Sequence, residues 1–183
     1  MKKILVGIFA LVMSLGVFAG DNFQAYIGAG QTAIANSGNA IVYSSKFETS
    51  INAGFRYFPI ERFAIDAQFF HDTAKVGRWL NEHHFISALP IDKYEYTTLG
   101  VYAEYWPVRN SAGGLFVFAG PQEFFATGKR GDRLGLAAGV GGQYTLIKKL
   151  FVESKAEYWH VQNFMGFDVV NTYNVSFSVG LKF

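Results

Sequence analysis

Cysteine is absent from the 183 residues, which excludes a disulfide framework and any thiolate metal site. Proline occurs 4 times, too rarely for Pro-rich linkers. Charged residues are 16% of the chain, and bases exceed acids by only 2, so no basic surface points to nucleic acid as a partner. No metal-binding cluster stands out and no cofactor is expected: His83 and His84 are adjacent, and adjacent side chains on an extended chain point apart. Beyond the first 19 residues there is no apolar run of the ~20 residues that a membrane helix needs.

The one continuous apolar run is at the start. Met1-Lys2-Lys3 is positive, 4–13 is apolar apart from Gly7, and Val17-Phe18-Ala19 has small residues spaced for cleavage. These features predict a signal peptide over 1–19 and a single mature domain over 20–183. Lys2 and Lys3 leave with the leader and no acid does, so 14 bases balance 14 acids in the 164 residues that remain.

What the chain does have is aromatics, at 17%, together with 20 glycines and a persistent two-residue alternation. The clearest case is the end. Tyr173, Val175, Phe177, Val179, Leu181 and Phe183 fall on one face of a strand, and Thr172, Asn174, Ser176, Ser178, Gly180 and Lys182 on the other. Such strands can satisfy their backbone in a bilayer only as a closed barrel.

Eight segments alternate in this way, at 22–31, 46–58, 62–72, 93–106, 114–124, 134–146, 149–161 and 171–183. Short joints at 59–61, 107–113 and 147–148 alternate with long loops at 32–45, 73–92, 125–133 and 162–171. The predicted fold class is all-β: an eight-stranded antiparallel up-and-down transmembrane β-barrel, with turns in the periplasm and loops outside. Parity puts Arg56, Asp66, Glu104, Glu153, Lys155, Glu157 and Lys182 on the inward face, since a base near mid-membrane on the lipid side costs about 2–4 kcal/mol. Three bases against four acids in so narrow an interior predict a paired, closed lumen. The parity of 114–124 is ambiguous, because Phe116 and Phe118 compete with Leu115 and Val117 for the lipid face. Inward Gly135, Gly139 and Gly141 leave room for large neighbours such as Gln143 or Tyr102. An aromatic girdle is expected from Tyr57, Phe58, Tyr105, Trp106 and Phe151 near the periplasm and from Tyr94, Tyr96, Phe124, Tyr158 and Trp159 near the outside.

Stretches such as Gly139-Val-Gly-Gly-Gln-Tyr144 and Phe151-Val-Glu-Ser-Lys-Ala-Glu-Tyr158, running to a terminal Phe183, resemble the small outer-membrane barrels grouped with OmpX, the OmpA membrane domain and opacity-type proteins. The resemblance is one of pattern over the whole mature chain. It implies a bacterial outer-membrane location and a terminal strand, from Tyr173 to Phe183, of the kind read by the barrel-assembly machinery. It implies little about activity, because that group includes adhesins, anchors and enzymes.

Two sets of residues are candidates for function. Lys75 and Arg78 in the second long loop, with Lys129, Arg130 and Arg133 in the third, could contact lipopolysaccharide phosphates. Glu157-Tyr-Trp-His160-Val-Gln-Asn163 is similar to the His-x-Ser-Asn motif of PagL-type lipid A deacylases, which implies His160 and Asn163 as site residues and Asp168 as a conjectural acid. The serine position holds Gln162, whose amide is not an acyl-accepting nucleophile. The sequence therefore predicts a non-enzymatic, monomeric surface barrel surrounded by lipid and lipopolysaccharide, with loops open to an extracellular ligand. The competing reading is a lipid A-modifying hydrolase centred on His160.

Overall fold

The computed structural model describes residues 22–37, 40–43, 48–82, 85–88, 92–126, 132–164 and 167–183, with side chains described at 22–33, 49–72, 95–125, 132–162 and 169–183. Apart from short turns and end residues, these form ten strands: β1 (Phe23–Ser37), β2 (Ala40–Tyr43), β3 (Glu48–Ile60), β4 (Phe63–Glu82), β5 (Phe85–Ala88), β6 (Asp92–Asn110), β7 (Gly113–Ala126), β8 (Arg133–Ile147), β9 (Leu150–Phe164) and β10 (Phe167–Lys182). Every pairing is antiparallel, and β10 returns to β1 from Gln24 opposite Lys182 to Ala35 opposite Asn171. Among the described residues the sheet is thus closed from β1 round to β10.

Ten strands make an eight-stranded barrel because two of them are pieces of longer ones. β2 lies between β1 and β4, with Tyr43 opposite Ala35 and Ile41 opposite Trp79. Lower down, β3 lies between the same two neighbours. β5 pairs with β4 where Trp79 faces Ala88, and β6 takes over where Val76 faces Asp92. The segments 32–45 and 73–92, expected to be long loops, are therefore largely strand. Only 165–166 separate β9 from β10, where a loop over 162–171 was expected. Alternation fades where the apolar band ends, but a ladder outside the membrane needs neighbours more than an apolar face, so the strands continue.

At the opposite rim, residues 61–62, 111–112 and 148–149 join successive strands. Each joint follows or precedes a register shift, at Tyr57/Ile60, Tyr105/Val108 and Thr145/Ile147. Pro59 and Pro107 sit within the first two shifts, where the ladder is already interrupted. Asn110 Oδ1 accepts from the backbone N–H of Ala112 at 2.9 Å and of Gly113 at 3.1 Å, and Gly113 has φ +144°, a conformation open to glycine.

The outer wall is apolar, with Ile27, Leu134, Leu136, Val175 and Phe177 exposed. The interior is where the charge lies: Arg56, Asp66, Glu104, Glu153, Lys155 and Glu157 are buried. On β7, Leu115 and Val117 face outward and Phe116 and Phe118 inward, which resolves the ambiguous segment. The reason is steric. A Cβ added at Gly141, Gly139 or Gly135 would run into the rings of Phe116, Phe118 or Phe124, so β8 supplies the space that the β7 phenylalanines fill. Gln143 and Tyr102, expected in that role, are not the side chains that meet those glycines.

Candidate functional site

The centre of the lumen is an ion cluster built from five strands. Arg56 on β3 lies opposite Asp66 on β4 and Gln24 on β1, and its guanidinium reaches from there across the lumen to Glu153 on β9. Its Nη1 donates to Glu153 Oε2 at 2.6 Å and to Gln24 Oε1 at 3.0 Å, and its Nη2 donates to Glu104 Oε1 at 2.9 Å. Nε is 2.6 Å from Glu104 Oε2 as an ion pair, although its N–H is not aimed at that oxygen. Lys155 on β9 donates to Asp66 Oδ2 at 2.6 Å and to the Tyr26 hydroxyl at 2.8 Å, and Tyr26 itself donates to Asp66 Oδ2 at 2.6 Å. Buried ions persist only when they are paired and hydrogen-bonded in this way.

The charge balance differs from the expected three bases and four acids. Lys182 stands at the short-turn rim, half-buried, where its Nζ donates to Thr145 Oγ1 at 2.7 Å. Arg56 and Lys155 therefore meet Asp66, Glu104 and Glu153 in the cluster. Glu157 lies apart and accepts from Trp159 Nε1 at 2.8 Å and Gln68 Nε2 at 3.5 Å.

Aromatic plugs close the lumen above and below the ions. Trp106 stacks on Phe116 with ring centroids 4.5 Å apart and meets the edge of Phe58 at 5.4 Å. At the other end Trp159 meets Phe70 at 5.1 Å and Phe124 at 6.1 Å, both edge-on. Both tryptophans are fully buried. Each donates its indole N–H toward the ion layer: Trp106 Nε1 to Glu104 Oε2 at 3.0 Å, and Trp159 Nε1 to Glu157 Oε2 at 2.8 Å. The girdle expectation needs correction accordingly. Phe58, Trp106, Phe151, Tyr96, Phe124 and Trp159 point inward, while Tyr57, Tyr105 and Tyr158 remain on the wall; the Tyr94 side chain is outside the described set. Membership of the girdle was judged by nearness to a rim, but adjacent strand residues face opposite sides, so each tyrosine on the wall sends its neighbour inside.

The signal for the plugs was in the sequence. Ala103-Glu-Tyr-Trp106 and Ala156-Glu-Tyr-Trp159 are the same tetrapeptide, each followed two residues later by valine. Because β6 and β9 run in opposite directions across the barrel, one copy places its Trp toward each end. The inward phenylalanines of β7, and Tyr26 and Gln24 in the ion cluster, had no such signal.

His160 is on the outer wall of β9, half-buried, opposite Asn171 on β10 and Leu136 on β8. Its Nδ1 is 2.8 Å from Asn171 Oδ1, which also accepts from the Tyr158 hydroxyl at 2.8 Å. An amide oxygen has no proton to give, so Nδ1 is the donor. The partner holding the imidazole is thus a neutral amide, where a triad would have a carboxylate. Gln162 is exposed, and the side chains of Asn163 and Asp168 lie outside the described set. Of the basic candidates, Lys129 and Arg130 lie outside the described residues, as do the side chains of Lys75 and Arg78; Arg133 is exposed, and its Nη1 donates to Asp132 O at 3.0 Å. Among the described residues no group of three or more His, Asp and Glu side chains is placed to hold a metal ion. On β10, Tyr173, Val175, Phe177, Val179 and Leu181 all face outward, and Phe183 just beyond it is exposed as well.

No family model matches the chain, and no curated protein sequence matches it. Solved structures do. The outer membrane protein OprG of Pseudomonas aeruginosa is 13% identical, with a TM-score of 0.61 over 90% of this chain and 98% of that one. Neisserial surface protein A is 14% identical, with a TM-score of 0.60 over 88% and 97%. The attachment invasion locus protein Ail of Yersinia pestis, in complex with the heparin analogue sucrose octasulfate, is 15% identical, with a TM-score of 0.58 over 90% and 100%. Identities this low show the fold: a closed antiparallel β-barrel of the outer-membrane type.

Proposed function

We propose that this chain is a small, non-enzymatic protein of a Gram-negative outer membrane, a monomer whose filled barrel is an anchor and whose strands beyond the membrane form the interacting surface. The observation that carries this reading is the lumen, where, among the described side chains, an ion layer lies between two buried tryptophan plugs. In this reading β2, β5 and the upper parts of β1, β4 and β6 form a raised sheet outside the cell, and the terminal strand serves the barrel-assembly machinery during biogenesis. Lys75, Arg78, Lys129, Arg130 and Arg133 contact phosphates of the surrounding lipopolysaccharide. One fold neighbour has been solved with a polysulfated sugar, the class of anion that arginine and lysine recognise. No observation favours the hydrolase: the imidazole of His160 is held by an amide, and Gln162 stands where the nucleophile would be.

The test is lipopolysaccharide binding by the refolded protein in detergent. Replacing the five bases with glutamine is expected to lower affinity at least tenfold and to flatten its dependence on salt. Unchanged binding would remove the lipopolysaccharide assignment. Lipid A from cells with and without the protein should have the same mass spectrum; an acyl chain lost only in cells with active His160 would restore the enzyme.

A further inference from the structure

The rim with the short connections has a charge pattern that the filled lumen does not explain. Arg62, Lys148 and Lys149 are exposed on the connections, and Glu61 is the exposed acid beside them. Arg109 and Lys182 stand just inside, over the mouth. The Arg109 guanidinium lies 3.6 Å over the Phe58 ring and donates to Glu61 O at 2.6 Å, and Lys182 is held by Thr145. Each quarter of the rim therefore carries at least one cation: Arg62 at β3–β4, Arg109 at β6–β7, Lys148 and Lys149 at β8–β9, and Lys182 beside the β10–β1 seam. The described acids exposed elsewhere, Glu95, Glu123 and Asp132, are toward the other end.

This ring lies just beyond the apolar wall, which ends in exposed Ile60, Val108, Ile147 and Leu181. Its height is therefore that of the lipid headgroups. We propose that the short-turn rim binds the anionic phospholipid headgroups of the leaflet it sits in, with Arg62, Lys148 and Lys149 making the contacts and Arg109 and Lys182 adding positive potential from within. A partner docking on one side would need its charges gathered on one side. A ligand that surrounds the barrel meets them one hairpin at a time, and a leaflet is such a ligand. Long basic side chains at the edge of an apolar band reach headgroup phosphates while keeping their stems in the band. The inference goes beyond the proposed surface role and rests on it only in assigning this rim to the periplasmic leaflet.

The experiment folds the mature chain into vesicles of phosphatidylcholine mixed with phosphatidylglycerol and compares the association of spin-labelled phosphatidylglycerol and phosphatidylcholine with the barrel. The expected preference for phosphatidylglycerol is severalfold at low salt, within the roughly fivefold that a single base at an anionic surface can supply, and it collapses at high salt. The triple variant Arg62→Gln/Lys148→Gln/Lys149→Gln is expected to bring the two lipids to parity. Glu61→Gln, which removes the acid, is expected to raise the preference and decides the matter if the triple variant does not fold. Equal association in the wild type, or a preference that survives in the triple variant, overturns the proposal. So does binding of a soluble anionic cell-wall fragment to the rim in zwitterionic micelles without any lipid preference. Vesicles contain no lipopolysaccharide, so failure of the surface role would not alter this result.

Discussion

Arg56 is the residue on which the interior turns, because Glu104, Glu153 and Asp66 all face its guanidinium. Its removal leaves carboxylates with only Lys155 to balance them. Arg56→Met is expected to destabilise the barrel by about 3–5 kcal/mol, the usual penalty for stranding buried charge, as measured by the urea midpoint for unfolding from micelles. Adding Glu104→Gln and Glu153→Gln should recover most of that loss; if the triple variant is weaker still, packing and not charge holds Arg56 in place. The inward position of these ions was legible in the sequence, since membrane hydrocarbon rejects them and parity offers one alternative. Which ion pairs with which was not legible. Arg56 and Glu153 are 97 positions apart, and their contact depends on how the sheet closes.

At the scale of elements, β7 and β8 fit together by exchanging rings for glycines, and β6 and β9 each carry a tryptophan to one end of the lumen. Trp159→Ala and Trp106→Ala are each expected to cost about 3–5 kcal/mol from the lost core side chain. The corresponding leucine variants should cost less, because part of the volume is kept. Equal, negligible losses for both alanine variants would mean that the plugs are ornamental to stability. Strand boundaries within the membrane were readable to within a few residues, because a one-residue slip would turn every side chain to the wrong face. Outside the membrane that constraint lapses. The sequence reading placed loops at 32–45 and 73–92, where the chain continues as β1, β2, β4 and β5.

For the whole molecule, the two plugs and the ions between them predict an electrically quiet barrel. In planar bilayers the wild type should show no steady large conductance. Trp106→Ala/Trp159→Ala should show brief openings if the plugs are the barrier. A steady large conductance in the wild type would overturn the filled-lumen description. The ion layer remains in that variant, so its openings should be rare and strongly dependent on salt.

The sequence by itself determined that this chain is a barrel with an oily exterior and a charged interior, because the pleat of a strand converts every second position into a choice between hydrocarbon and lumen. It determined three of the hairpins as well, through the joints at 59–61, 107–113 and 147–148, too short to connect anything but neighbours. Only the tertiary structure decided how the interior is filled: which acids meet Arg56, that Lys182 stops at the rim, that the β7 phenylalanines pack over the β8 glycines, and that at least one cation falls on each quarter of the short-turn rim. Closure of the sheet brings residues from distant strands to the same height, and that height depends on the stagger between strands, which no local pattern records.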